Sequence, residues 1–497
     1  MNWKIIWKSL GNADMRKRIL AVLGILLLSR ILAHIPVPLA NPETLKQVLT
    51  NLFNSSTPQF LSFLDVLSGG ALANFSIILV GLGPYINASI IMQLLTKAIP
   101  QLEQIQKDGE YGRKKINQYT RLLTLPLAII QSIGAIYLIR QYAQQVGGIG
   151  DITANSSLMQ WVLMVAALTG GAMIMMWMGE LITEQSIGNG ISLLITVGIV
   201  SQLPGTISGI VQSVFDGKDK WVLWGQTLPM NKDAFKFSLI IFAVVVLMTM
   251  FIVTLNEAAR RITINYAKRV QGNRTYGGVT TTLPVKMITA GVVPIIFALA
   301  FLSLPSFVGQ ILSGNSSARL QELGANLTNW FQQPTNQSLS VGGWQPFIYP
   351  IVYFLLVFIF TFFYTSITFN AKEIAENLQK QGGFVANIRS GSATERYLGK
   401  VVNRLTLFGA LALGLLAVSP IVGQWFLQTS ITIGGTSLLI LVAVALETLR
   451  SIESRALMVT YDQYEQPDYF VDTESADKPR KGIRRLVPRR RKARITK

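Results

Sequence analysis

Few residues in this sequence have side chains that could do chemistry, and their spacing does not group them. His34 is the only histidine and there is no cysteine, which excludes a histidine cluster or a thiolate site for zinc. The acidic residues nearest to long apolar segments are Asp65, Glu180, Glu184 and Glu447, and they fall at segment ends or in loops. We find no G-x-x-x-x-G-K-[ST] phosphate loop, Ser/His/acid set or carboxylate pair. The sequence therefore predicts a protein that is not an enzyme and uses no cofactor or metal.

The elements that position any site are predicted to be membrane spans. Half of the 497 residues are hydrophobic, 14% are charged and the mean hydropathy is +0.42, values outside the range of ordinary soluble domains. Apolar segments of about 18 residues or more with almost no charge predict spans. Ten such segments occur, at about 19–39, 76–95, 122–142, 158–178, 187–211, 235–255, 284–307, 345–369, 401–425 and 432–450. Arg30 lies toward the outer half of the first span, where it can snorkel or face an aqueous cavity.

Basic residues predict the orientation of these spans. An even number of spans places both termini on one side of the membrane, and Lys and Arg concentrate on the cytosolic side. Of the 44 Lys and Arg residues, 33 lie in segments on the side of the termini and 5 in segments on the other side. Both termini are therefore predicted to be cytosolic.

The segments between the spans complete the predicted organisation. It comprises a cytosolic N-terminus (1–18), a first half (19–211), an external loop (212–234), a second half (235–450) and a basic cytosolic tail (451–497). Two basic cytosolic loops, 256–283 and 371–400, each contain a helix-like stretch followed by a Gly-containing turn. We expect these loops to project as ordered arms rather than as linkers.

One eight-residue pattern occurs in both halves. The second span contains GLGPYINA (81–88), and the seventh span, its counterpart in an inverted repeat, contains GVVPIIFA (291–298). Both read G-x-x-P-x-I-x-A, and transport folds with inverted repeats place unusual helices at matching positions. Proline removes a backbone hydrogen bond and clashes with the preceding turn. The predicted helix breaks are Gly83, Pro84, Gly291 and Pro294.

Motifs along most of the chain resemble those of a known family. They are IPVP (35–38), LSGGAL (67–72), GPYINASIIMQLL (83–95), DGEYGRKKINQYTR (108–121), GELITEQSIGNGISLLI (179–195), YAKRVQGNRTYGG (266–278), AGVVPIIFA (290–298), GGFVANIRSG (382–391) and GGTSLLI (434–440). In this order, and over about residues 16–464, the chain resembles the SecY proteins, the channel subunit of the general protein-export translocon.

The resemblance implies a fold and a pore. The fold is an all-α polytopic membrane protein with ten transmembrane helices in two pseudo-symmetric inverted five-helix halves, a short plug helix at about 58–75 and two cytosolic loops. Unfolded preproteins would cross through the centre, and hydrophobic segments would leave sideways through a gate between spans 2 and 7. An apolar ring can dewet to block ions and still yield around a passing chain. The ring residues implied are Leu82, Ile86, Ile187, Ile191, Ile296 and Ile440.

The resemblance also implies partners and a location. The two arms resemble docking sites for the SecA motor ATPase or a translating ribosome. The residues concerned are Lys268, Arg269 and Arg274 in the first arm and Arg389 in the second. Other implied partners are SecE-like and SecG-like small membrane subunits, preproteins with signal sequences and membrane lipids. The implied location is a bacterial plasma membrane.

Two other classes of function provide alternatives. An ion-coupled small-molecule transporter would need acidic residues at mid-membrane. A membrane enzyme, such as a lipid-modifying transferase, would need a cluster of reactive polar side chains at one interface. The sequence shows neither feature, so we favour the protein-conducting channel.

Overall fold

A computed structural model describes the fold over most of the chain. It covers residues 13–37, 64–65, 67–72, 74–145, 157–215, 220–223, 226–266, 269–271, 274–276, 278, 280–313, 317–334, 343–427 and 435–465. Within these ranges the structure is mainly helical, which agrees with the predicted all-α class. Seven of the described helices are long and apolar enough to cross a membrane.

Helices lie at all ten predicted spans. In chain order the described helices are α1 (Ala13–Leu32), α2 (Gly83–Ala98), α3 (Pro100–Lys107), α4 (Gly109–Gln145), α5 (Leu158–Glu184), α6 (Gly190–Phe215), α7 (Lys232–Glu257), α8 (Val293–Ser313), α9 (Ala318–Phe331), α10 (Gln345–Thr368), α11 (Ala371–Lys380), α12 (Ser392–Leu427) and α13 (Gly435–Glu465). The short helices α3, α9 and α11 connect the longer ones. We call α1, α2, α4, α5 and α6 the first half, and α7, α8, α10, α12 and α13 the second half.

Several helices extend past the spans predicted from hydropathy. Helix α4 begins at Gly109 rather than near residue 122, and α13 continues to Glu465, so the predicted tail begins as helix. Glu180 and Glu184 were expected in a turn, but both belong to α5. The reason is physical: hydropathy reports where a helix is apolar enough for lipid, whereas backbone hydrogen bonding can continue into water.

Short strands occur in the connections. They are β1 (Lys220–Leu223), β2 (Gln226–Asn231), β3 (Ala259–Tyr266), β4 (Arg269–Gln271), β5 (Arg274–Tyr276), β6 (Thr280–Lys286) and β7 (Gly383–Val385). The helix-like stretch predicted in the first arm is therefore wrong, because β3 pairs with β6 and, between them in the chain, β4 pairs with β5. In β3, Ile262 and Ile264 are buried, whereas Arg261 and Thr263 are exposed. This period of two is typical of a strand with one face on a core.

The second arm contains the expected helix and turn, and it packs against the first arm. Asn370 caps α11 by accepting the Glu373 N–H, and Gly382 has a φ of +72° in the turn that follows. Strand β7 then pairs with β3, giving the order β6-β3-β7. Their buried side chains share one apolar cluster with the start of α12. The two arms therefore form one module, at what we call the arm face of the helix bundle.

The two halves repeat the same packing pattern. In the first half the packed pairs are α2 with α4, α4 with α5, α5 with α6, and α1 with α6. In the second half the matching pairs are α8 with α10, α10 with α12, α12 with α13, and α7 with α13. Between the halves, α6 packs on α7 and α13, and α2 and α4 pack on α8. The packing therefore follows the predicted repeat of five plus five.

Candidate functional site

The two G-x-x-P-x-I-x-A segments adopt the same local structure. Gly81 and Gly291 have φ values of +54° and +62°, a left-handed conformation that glycine adopts without steric cost. Two residues after each glycine a helix begins, α2 at Gly83 and α8 at Val293. The N–H of Ile86 donates to Leu82 O (3.0 Å), and the N–H of Ile296 donates to Val292 O (3.4 Å). The repeated pattern is therefore a repeated helix start.

The structure corrects the expected effect of the prolines. Pro84 and Pro294 do not kink continuous spans; each lies at the second residue of a helix. A proline in the first turn costs no hydrogen bond, because the N–H groups there have no partner within the helix. The spans predicted from residues 76 and 284 are correspondingly wrong at their starts. Residues 76–82 and 287–292 are non-helical, and we call them the lead-in segments.

Each lead-in segment is attached to the chain that follows the preceding helix. In the first half, Pro36 bridges Ser76, and the Ile77 N–H donates to Ile35 O (3.0 Å). In the second half, β3 pairs with β6 up to Lys286, and the Met287 N–H donates to Ala258 O (2.9 Å). Ile77 and Met287 lie at equivalent positions, each four residues before the first glycine of the pattern, so both halves make the same connection.

Each lead-in segment also rests on a glycine of the fourth helix of its half. A Cβ added to Gly171 of α5 would lie 2.0 Å from Ile77 O, and one added to Gly409 of α12 would lie 2.6 Å from Met287 O. Only glycine allows the two backbones to approach this closely. Non-helical backbone is tolerated at membrane depth where protein buries it, and these contacts supply that burial.

The six residues proposed for the pore ring come together in one apolar cluster. Leu82, Ile86, Ile187, Ile296 and Ile440 are buried members of this cluster, and the half-buried Ile191 packs against it. Leu82 and Ile86 lie at the start of α2, and Ile296 lies at the start of α8. The starts of α2 and α8 thus contribute side chains from both halves to one extended apolar cluster.

The described part of the segment predicted as the plug packs beside this cluster. Residues 64–65 and 67–68 are helical, and 58–63, 66 and 73 lie outside the described residues. Leu67 and Ala71 belong to the same apolar cluster as the ring. Leu64, Leu72 and Phe75 belong to a second cluster, which also includes Phe307 of α8. The segment therefore contributes both to the apolar cluster that contains the proposed ring residues and to the one that contains Phe307 of α8.

Helices α2 and α4 both pack against α8, at the position of the predicted gate. The ring of Phe307 lies against Gly134 of α4, where an added Cβ would be 2.1 Å from Phe307 Cζ. Gly83 of α2 lies close to Gln131 of α4 and to Leu64. Sequence reasoning missed Gly134 and Phe307, because a glycine and an aromatic residue in membrane spans are common and give no distinctive signal.

The residues proposed for docking are distributed over the arm module. Lys268 lies outside the described residues, and Arg269 and Arg274 belong to the paired strands β4 and β5. Arg389 is exposed in the second arm, where its carbonyl accepts a hydrogen bond from Thr394 Oγ1 (2.9 Å) just before α12. Arg269 and Arg274 thus lie on a separate two-stranded sheet, and Arg389 follows β7, the strand by which the second arm pairs with the first.

Ionisable side chains within the described residues form local pairs. Arg121 of α4 binds Glu180 of α5 (2.7 Å), and Arg450 of α13 binds Glu257 of α7 (2.6 Å). Near the second pair, burial lowers the pKa of Lys286 below its ordinary value. Among the described residues no group of three His, Cys, Asp or Glu could hold a metal ion. These pairs connect helices and do not converge on one site.

Curated relatives cover nearly the whole chain. The SecY family model matches residues 76–449. "Protein translocase subunit SecY" of Streptomyces galbus is 38% identical over 465 residues, covering 92% of this chain and 98% of the relative. The protein of the same name from Corynebacterium glutamicum is 37% identical over 463 residues, with the same coverage.

Solved structures share the fold at low sequence identity. "The structure of a protein conducting channel" matches with a TM-score of 0.60 and 18% identity over 90% of this chain and 94% of that one. A SecY structure, reported with a plug domain that "stablizes the closed state of the translocation channel", also gives 0.60, at 17% identity and the same coverage. Sec61 "in the Canine ribosome-channel complex" gives 0.57 at 18% identity, again with that coverage. On the family match and the two relatives, this chain belongs to the SecY family.

Proposed function

We propose that this chain is the central protein-conducting channel of a Sec translocon. Unfolded preproteins pass through the apolar ring, and hydrophobic segments leave sideways between α2 and α8. One observation carries the proposal: the starts of both gate helices contribute proposed ring residues from both halves to one apolar cluster. The relatives named as translocase subunits support the same function.

The ring can close the channel without binding its client. Its aliphatic side chains give a passing peptide no hydrogen-bonding partner, so closure depends on packing and on exclusion of water. The described part of the plug segment adds Leu67 and Ala71 to the same cluster. The channel itself makes and breaks no covalent bond, so a partner must supply the energy for translocation.

Charge favours docking at the arm face. We place both termini and the arms in the cytosol of a bacterium, with the spans in its plasma membrane, because Lys and Arg concentrate on that side. Lys268, Arg269, Arg274 and Arg389 would contact the SecA motor or the ribosome. Contacts with ribosomal RNA would weaken steeply with salt. The canine Sec61 complex with a ribosome supports such a partner. SecE-like and SecG-like subunits complete the proposed complex in the lipid bilayer.

Reconstitution tests this function directly. The chain, a SecE-like subunit and a SecA motor would be placed in lipid vesicles with ATP and a signal-bearing preprotein. We expect protease-protected preprotein that depends on ATP and on the signal sequence. Arg389→Glu, which reverses an exposed charge in the second arm, should reduce the motor-driven yield. No protected preprotein, together with saturable uptake of a small solute, would favour the transporter instead.

A further inference from the structure

The turn from Asp65 to Leu72 is held by polar contacts from two helices of the first half. From α1, Arg30 Nη1 donates to Gly69 O (2.9 Å) and to Ser201 Oγ of α6 (2.7 Å). Arg30 Nη2 donates to Ser68 O (3.4 Å). Ser201 Oγ donates its single proton to Gly198 O of α6 (2.7 Å), so Arg30 Nη1 is the group that connects Gly69 O of the turn to Ser201 Oγ of α6.

A second contact holds the other end of the turn. Gln202 of α6 donates to Asp65 Oδ2 (3.1 Å), and Asp65 Oδ1 accepts the Leu72 N–H (3.3 Å). The Gly70 N–H donates to Asp65 O (2.9 Å). Asp65 therefore closes the turn on itself and connects it to α6.

Close backbone packing accompanies these hydrogen bonds. Gly69 has a φ of +71°, and a Cβ added there would lie 2.3 Å from Gly198 Cα of α6. Gly70 has a φ of +84°. Both positions need glycine, because the left-handed conformation and the short approach exclude a side chain. The turn thus fits one position between α1 and α6.

Placing the charged side chain of Arg30 within a membrane span costs free energy. An arginine within a membrane span usually marks a functional site and pairs with carbonyls or other polar groups. Here it is half-buried, and its buried Nε has no hydrogen-bond partner in the described structure. The opposite side of the turn places Leu67 and Ala71 in the cluster of the pore ring. The hydrogen bonds of Arg30 therefore hold apolar side chains against the proposed pore.

We propose that Arg30, Ser201 and Gln202 form a latch that holds the Asp65–Leu72 turn in the closed position of the channel. This inference rests on the proposed function. Arg30 binds backbone carbonyls of the turn and is held by Ser201 of α6, and Gln202 binds the carboxylate that closes the turn. When the turn leaves, water can solvate its carbonyls and the guanidinium, so the latch can open and re-form.

Two measurements test the latch in the reconstituted complex. The first is the resting ion leak without preprotein. The second uses the absence of cysteine in the native chain: with Ser68→Cys as the only thiol, the rate of labelling by a polar maleimide reports exposure of the turn. Ser68 is buried, so the closed channel should label slowly.

Arg30→Leu should raise both the leak and the labelling rate about tenfold or more, because several charge-assisted hydrogen bonds are lost. Gln202→Leu should raise both about threefold, and Arg30→Lys, which keeps the charge, should fall between wild type and Arg30→Leu. Arg319→Leu is the matched control: it removes a positive charge from an exposed position of α9 and should change neither rate.

The same vesicles separate failure of the latch from failure of the proposed function. If Arg30→Leu and Gln202→Leu keep the wild-type leak and labelling rate while ATP-dependent preprotein import continues, the latch is wrong and the channel function stands. If the wild type imports no preprotein, the proposed function fails first. Gln202→Leu removes no charge and tests the latch even where Arg30→Leu does not fold.

Discussion

Gly134 of α4 forms a notch for the ring of Phe307, and filling this notch should open the gate. A Cβ at position 134 would lie 2.1 Å from Phe307 Cζ and 2.3 Å from Cε2. Carbon atoms in contact are ordinarily about 3.5–4.0 Å apart. With Gly134→Ala, the phenyl group of Phe307 or helix α4 must therefore move by about 1.5 Å. Phe307 is buried beside Leu64 and Leu72, so the ring has little room to move while the gate is closed.

The cost falls on the closed state. Overpacking of this kind costs about 1–3 kcal/mol, which corresponds to about a 5- to 150-fold change in an equilibrium between two states. Alanine also favours the α4 helix over glycine by about 1 kcal/mol, but this gain is equal with the gate open or closed. Gly134→Ala should therefore shift the equilibrium toward the open gate by most of the packing cost.

Planar-bilayer conductance of the resting channel would measure this shift, with import of preproteins carrying weakened signal sequences as a second assay. We expect higher conductance and better import of weakened signals. Gly170→Ala in α5 is the matched control, because an added Cβ there meets nothing within 4 Å. Gly134→Ala combined with Phe307→Ala should return the conductance toward that of Phe307→Ala alone. Unchanged conductance in Gly134→Ala would refute the reasoning.

Three further predictions concern the ring, the lead-in segments and the plug turn. Ile86→Asn or Ile440→Asn should raise ion leak or relax signal-sequence stringency; silence of both variants in these assays would count against their place in the ring. Gly171→Ala and Gly409→Ala should each destabilise the protein by about 1–3 kcal/mol, seen as lower melting temperatures in detergent, whereas an unchanged melting temperature would contradict the close backbone contacts. Burial raises the pKa of Asp65 to about 6 in the closed turn, so lowering the outer pH from 8 to 5 should reduce the resting leak. Asp65→Asn should abolish that dependence, and a leak that increases on acidification would refute it.

The sign of the pH effect follows from which state binds the proton more tightly. In the closed turn the Asp65 carboxyl is buried between its own backbone and Gln202, whereas Arg30 contacts the other side of the turn. In a displaced turn, water restores its ordinary pKa of 3.8. Protonation of Asp65 therefore stabilises the closed state. This stabilisation is complete below about pH 4 and is lost as the pH rises through about 6. The difference between the pKa of Asp65 in the closed turn and in the displaced turn corresponds to a stabilisation of the closed state by up to about 3 kcal/mol.

The position of the repeat could be predicted from sequence, but its conformation could not. The pattern G-x-x-P-x-I-x-A locates both helix starts, because glycine and proline have specific backbone preferences. Residues 77–80 are as apolar as any span, and most of them are fully buried. Hydropathy cannot distinguish an apolar helix in lipid from an apolar turn buried by protein. The glycines that supply this burial, Gly171 and Gly409, are far away in sequence.

The arms and the gate show two different reasons for error. The alternation of Arg261, Ile262, Thr263 and Ile264 already favoured a strand, so the helix-like prediction missed a visible signal. Pairing of β3 with β7 joins residues more than a hundred positions apart, and no local pattern indicates it. The contact at Gly134 also had no local sequence signal, because it depends on Phe307 of α8, which is far away in sequence.

The repeat gives the plug segment and the first arm equivalent places along the chain. The plug segment lies between α1 and α2, and the first arm lies between α7 and α8. The first ends in the bridge of Pro36 to Ser76, and the second ends in the pairing of Ala259 with Lys286. Ser76 lies six positions before Leu82, and Lys286 lies six positions before Val292. Leu82 and Val292 are the residues that directly precede α2 and α8. Each gate helix thus follows a lead-in segment that is hydrogen-bonded to the chain just after the preceding helix.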